Sequence, residues 1–129
     1  MPRYLTPEWF AAAQQALAES GALATATANA AFTVQQVVTD GPFGDVTFHV
    51  AVDHGAVRIH AREADHATVT FIQAWDTAAA IGRGELSAQG AFMAGLIRVR
   101  GDLARLVADG AAFGNVDDML ADLRAHTDY

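Results

Sequence analysis

Between Val46 and Ala61 apolar and polar side chains alternate along the chain. Val46, Phe48, Val50 and Val52 are separated by Thr47, His49 and Ala51, and Val57, Ile59 and Ala61 by Arg58 and His60. A period of two marks half-buried strands, and His54-Gly55 fits a two-residue hairpin turn with glycine supplying a positive φ. Opposing 53 to 56 sets Val52 against Val57, Val50 against Ile59 and His49 against His60. Both apolar sets then share one sheet face, an arrangement that a one-residue slip would destroy. Phe32 to Thr39, rich in valine and threonine, predicts an earlier strand before the turn cluster Asp40-Gly41-Pro42-Phe43-Gly44. Ala67 to Gln73 and Leu96 to Arg100 complete a set of five.

Helical spacing frames these strands. Thr6 caps and Pro7 opens a first helix whose stripe is Phe10, Ala13 and Leu17, widened by Trp9 and ended by Gly21. Residues 22–30 are small and feature-poor, open between a short helix and a loop. Asp76 reads as an N-cap, with Gly82 as the left-handed end of its helix. A second short apolar helix closes at Gly95, and Gly101-Asp102 ends the last strand and caps a helix carrying Leu103, Leu106 and Val107. Asn115 caps a final helix with Asp117 and Asp118 in its first turn and Val116, Met119, Leu120 and Leu123 on its buried face. Strands with one apolar face, framed by helices, predict an α+β layer with helices packed on one face of a five-stranded, mostly antiparallel sheet. At 129 residues the chain is read as one domain, 1–129.

The composition, 52% hydrophobic and 18% charged, is that of a globular chain. Zero cysteines remove disulfides, thiolate catalysis and cysteine-based zinc sites. All eight cations are arginine, so Schiff-base chemistry and a Walker-type phosphate loop are excluded. A net charge of −7 opposes nucleic acid and anionic membrane surfaces unless the positive charge clusters. Ser20 to Thr39 runs 20 residues without a charge, yet its asparagine, glutamines and threonines make it a loop and strand rather than a span. Polar residues interrupt any leader-like apolar core near Ala26-Thr27-Ala28, and the expected location is cytoplasmic. Ser20 and Ser87 lie in no nucleophile elbow. Gly82-Arg83-Gly84 follows a helix and lacks the third glycine of a dinucleotide loop.

One stretch carries a family pattern. Phe92-Met93-Ala94-Gly95 is followed by alternating Leu96-Ile97-Arg98-Val99-Arg100, then Gly101-Asp102, then an apolar helix from Leu103. With the capped helix after Trp75, this resembles the sterol-carrier-protein (SCP2-like) lipid-transfer domain, most closely over Asp65 to Leu106. Leu96 stands where that family commonly has lysine, and arginine replaces its later lysines. The resemblance implies a non-enzymatic protein without metal or cofactor. It also implies a sterol, fatty acid, acyl-CoA or phospholipid held in an apolar tunnel between helices and sheet, with at most transient membrane contact. Related domains serve as appended oligomerisation or substrate-recruiting modules on larger enzymes, some bacterial members have no assigned ligand, and on the self-association reading this chain would form a homodimer.

On that reading the candidate lining is Phe32, Phe48, Phe71, Trp75, Phe92, Met93, Leu103, Leu106, Met119 and Leu123. The same residues would equally build an ordinary close-packed core. Arg58, Arg62, Arg98 and Arg100 share the outer sheet face by parity, as a docking patch or as a solvated face paired with Asp45, Glu63 and Asp65. His49 and His60, with His66 near, read as a solvated cross-strand pair rather than a metal site. Two functional classes therefore stand: a lipid carrier, and an interaction domain whose cavity is filled by its own side chains. A steroid-binding enzyme of the α+β cone type would need a buried aspartate opposite a tyrosine, and the only tyrosines are Tyr4 and Tyr129.

Overall fold

The computed structural model describes residues 2–108, 123 and 126–129 of the chain. The elements run α1 (Pro7–Glu19), α2 (Gly21–Ala26), β1 (Ala31–Gly41), β2 (Gly44–Asp53), β3 (Ala56–His60), β4 (Val69–Ala74), α3 (Trp75–Gly82), α4 (Ala88–Met93), β5 (Ile97–Gly101) and α5 (Leu103–Ala108). The strands form one sheet in the order β3-β2-β1-β4-β5. The expected α+β class and five-strand count hold. The β2–β3 register is the one the turn dictates, with Val52 opposite Val57, Val50 opposite Ile59 and His49 opposite His60. His54 and Gly55 both have positive φ, at 45° and 93°, which matches the hairpin turn to the twist of its strands.

The sheet is mixed. β1 pairs antiparallel with β2 and parallel with β4, and β4 pairs antiparallel with β5. The connection from β3 to β4 therefore crosses the sheet, and it does so on the outer face. There the backbone N–H of Ala64 donates to Gln35 Oε1 at 2.8 Å, and His49 Nδ1 donates to the Arg62 carbonyl at 2.7 Å.

Side-chain alternation and register place Phe32, Val34 and Val38 of β1, Val46, Phe48, Val50 and Val52 of β2, and Val57 and Ile59 of β3 on the inner face. Helix α1 packs there through buried Trp9, Ala13 and Leu17, with Leu23 of α2 beside them. Trp9 is the hub. Its ring meets Tyr4 edge-on at 5.0 Å and Phe48 at 6.0 Å, while its Nε1 donates to Thr127 Oγ1 at 3.1 Å. The backbone N–H of Tyr4 also donates to the Asp128 carbonyl at 2.9 Å, so both ends of the chain meet beside α1.

Several local expectations change. Ser20, not Gly21, ends α1, and its hydroxyl accepts from Leu23 N–H at 3.0 Å to start α2, which resolves part of 22–30 as helix. Ala74 occupies the N-cap of α3 without a side-chain bond, and Asp76 sits in the first turn, where its charge still favours the dipole. Gly82 is the last helical residue, and the left-handed position is Gly84, at φ 77°. Gly95 closes α4 as expected, its N–H bonding the Phe92 carbonyl at 3.1 Å while that of Leu96 bonds Ala91 at 2.9 Å. Asp102 caps α5 through Oδ1 and the Arg105 N–H at 3.0 Å. The final helix expected from Asn115 lies outside the described residues, apart from Leu123.

Candidate functional site

Cover over the inner face is uneven. Beneath α1 most of the β1–β3 half is closed, with Phe32, Val34, Val50, Val52, Val57 and Ile59 buried and Val46 half-buried at its end. Across β1 toward the β4–β5 edge burial is mixed: Val69 and Ile97 are buried, and the inner-facing positions between them less so. Register brings Gln36 and Phe71 side by side, Phe71 opposite Val99, and Gln73 between Val38 and Ile97. Gln36, Phe71, Gln73 and Val99 are each only half-buried, as is Trp75 just beyond β4. This floor is largely apolar and bears no charged side chain among the inner-facing strand positions.

Its two polar members touch: Gln73 Nε2 donates to Gln36 Oε1 at 3.2 Å. Gln73 Oε1 is buried with no hydrogen-bond partner among the described residues. Neither glutamine belongs to the expected lining. A signal for both is nonetheless present in the sequence, because Gln36 shares the parity of Val34 and Val38, and Gln73 that of Val69 and Phe71.

The ten candidate lining residues separate accordingly. Phe32 and Phe48 are core beneath α1, Phe71 and Trp75 belong to the half-buried end of the inner face, and Leu123 packs half-buried against the core. Phe92 and Met93 are instead exposed, at 46% and 79%, so neither walls an interior. The cause is helical phase: α4 turns fully buried Ala91 inward, and each following residue rotates about 100° away. Leu103 and Leu106 lie on α5, but their side chains, like Met119, fall outside the described residues. Tyr4 and Tyr129 come together with ring centroids 5.0 Å apart, packed around Trp9 and the end of α3.

The outer face differs from the expected solvated one. His49 and His60 oppose each other with centroids 4.9 Å apart, but His49 is only 7% exposed because the β3–β4 crossover lies over it. No group of three or more histidines, cysteines or carboxylates suited to a metal occurs among the described residues. The four arginines do share this face and are exposed. However, Arg58 belongs to β3, with Arg62 just beyond it, whereas Arg98 and Arg100 belong to β5 at the opposite sheet edge, roughly 19 Å away at ordinary strand spacing. They form two separate pairs, not one patch. None makes an ion pair among the described residues, so the expected pairing with Asp45, Glu63 and Asp65 is not formed.

Burial, His49, Arg62 and Arg58, in that order, hold the His60 imidazole below its ordinary 6.5. A histidine whose pKa is depressed on folding binds more protons when unfolded, so its contribution is intact above 6.5 and is lost as pH falls below it. Thermal midpoints measured from pH 8 to 5 are expected to fall on the acid side, and His60→Asn is expected to flatten that slope.

A model of the SCP-2 sterol transfer family matches residues 10–108. A crystal structure of sterol carrier protein 2 superposes with a TM-score of 0.72 at 21% identity, covering 92% of this chain and 98% of that one. A conserved hypothetical protein of Thermus thermophilus, described as possibly a sterol carrier protein, gives 0.67 at 21% identity, covering 96% and 89%. The sec-alkylsulfatase Pisa1 from Pseudomonas sp. gives 0.50 at 16% identity, over 68% of this chain but only 14% of the enzyme. No curated protein matches the sequence.

Proposed function

Because the chain belongs to the SCP-2 sterol transfer family, we propose that it is a non-enzymatic carrier which shelters an apolar ligand against the β4–β5 half of its inner sheet face. The observation that carries this reading is the uneven cover. Val69 and Ile97 of that half are buried, yet Phe71, Val99 and Trp75, packed against the core, keep part of their surface open. Each methylene removed from water against that floor contributes about 0.8 kcal/mol, so an acyl chain or ring system gains affinity without any charged contact. The inventory for bond chemistry is thin: the sheet's inner face holds neither charge nor nucleophile.

Displacement of a fluorescent fatty acid from delipidated protein tests this. Wild type is expected to bind and release the probe to competing lipids, and Val99→Asp to weaken binding at least tenfold, since an ionised carboxylate beneath an acyl chain loses its hydration without a partner. Unchanged binding in that variant would move the ligand elsewhere. No binding across lipid classes would remove the carrier reading.

A second reading, an interaction module, rests on exposed Phe92, Met93 and Leu96 at the α4–β5 elbow. It gains support from the alkylsulfatase, in which the matching region is a small part of a large enzyme. The arginine version of that reading is weakened by the separation of the two pairs. Sedimentation of the same samples discriminates, because concentration-dependent dimerisation without probe binding favours the module.

A further inference from the structure

We propose that the Gln36–Gln73 amide pair is a polar anchor that selects an uncharged, hydroxyl-bearing amphiphile over an ionised fatty acid. This rests on the carrier reading and specifies its ligand. The two side chains stand on adjacent parallel strands, in the middle of an otherwise apolar face. An isolated buried amide costs free energy, and apolar residues would pack there with no such cost. The pair offsets part of it internally through the 3.2 Å bond from Gln73 Nε2 to Gln36 Oε1. That bond leaves Gln73 Oε1 as a buried acceptor with no donor among the described residues.

An acceptor in that position discriminates by chemistry. A hydroxyl brings it a donor. An ionised carboxylate brings only more acceptors, and no inner-facing strand residue is a cation that could compensate its lost hydration. Gln73 lies between Val38 and Ile97, both buried, and its inner-face neighbours two positions along β4 and β5 are Phe71 and Val99, both half-buried. A ligand whose apolar body covers those two side chains places its polar end at the amide pair. Sites that hydrogen-bond a hydroxyl discriminate strongly, because the analogue lacking it leaves a buried group unpaired. The shared chemistry is the neutral hydroxyl, whether carried on a linear chain or on a fused ring.

Equilibrium binding of radiolabelled 1-hexadecanol, cholesterol and palmitate to the delipidated full chain at pH 8 tests the proposal. Gln73→Met and Gln36→Met, nearly isosteric, are the variants. Wild type is expected to hold the better of the two alcohols about tenfold more tightly than palmitate. Gln73→Met is expected to erase most of that ratio by weakening the alcohol, with palmitate changed by less than about twofold. Gln36→Met should act in the same direction. Whichever of hexadecanol and cholesterol loses affinity identifies the source of the hydroxyl. A wild-type preference for palmitate, or an unchanged ratio in variants that melt like wild type, overturns the anchor while leaving the carrier intact. Should either variant fail to fold, the wild-type ratio alone decides. Absence of binding to all three probes overturns the carrier reading and the anchor with it.

Discussion

Trp9→Ala is expected to destabilise the domain by about 3–5 kcal/mol, the range for removing a large buried aromatic side chain. Trp9 is 3% exposed and joins three parts of the molecule. Its ring packs edge-on against Tyr4 and Phe10, at 5.0 and 5.1 Å, and against Phe48 of the sheet at 6.0 Å. Its indole N–H reaches Thr127, whose hydroxyl in turn bonds the Leu123 carbonyl at 2.5 Å. Removing the ring leaves a cavity under α1 and takes away the one donor, among the described residues, that the buried Thr127 hydroxyl accepts from. Trp9→Phe separates the two losses, since it keeps most of the packing and forfeits one hydrogen bond, about 1 kcal/mol. Urea denaturation followed by circular dichroism measures both. Equal midpoints for wild type and Trp9→Ala would mean that α1 does not close the core.

Gly101→Ala is expected to cost about 3 kcal/mol, or roughly 10 °C in thermal midpoint. Two separate effects combine. Gly101 has φ 100°, where a side chain is strained. A Cβ there would also lie 2.5 Å from the Thr68 carbonyl oxygen and 3.1 Å from the Val69 Cα, both backbone atoms that cannot step aside. The same carbonyl accepts from the Asp102 N–H at 2.8 Å, so relief by shifting β5 breaks the start of α5. Gly84→Ala is the control. It has a comparable φ of 77° but nothing within 4 Å of the added carbon, so its smaller loss measures strain without the clash. Equal midpoint losses for the two variants would remove the clash from the account.

What can be read from sequence follows the range of the interaction. The β2–β3 register is legible because a two-residue turn and matched alternation over-determine it. The Asp102 and Thr6 caps are legible because each bonds a residue three positions ahead. The parallel β1–β4 pairing is not, since nothing local says that Val34 meets Val69. The chemistry of both faces depends on that pairing. Parity puts four arginines on one face correctly, but only the strand order separates them into two edge pairs. His49 stands at a polar position, which predicts solvation, whereas the crossover that a parallel pair requires buries it. Apolar character alone points Phe92 and Met93 to an interior. Six-residue α4 can turn only a narrow face inward, and Ala91 takes it. The glutamine pair is hidden for a related reason: each residue alone is an ordinary polar interruption, and they become a site only when their strands are adjacent.

The crossover over β2 and β1 also favours one order of assembly. The β2–β3 hairpin closes through a tight turn, whereas β1 gains its second neighbour only after the chain has travelled from Val34 to Val69. Local contacts form faster than distant ones. A three-stranded β1–β2–β3 ribbon is therefore expected to form ahead of the β1–β4 pairing, with the valine- and threonine-rich rim of β1 unpaired until then. Such a rim is a template for another chain, so misassembly during synthesis is the vulnerability of this topology, ended when β4 docks.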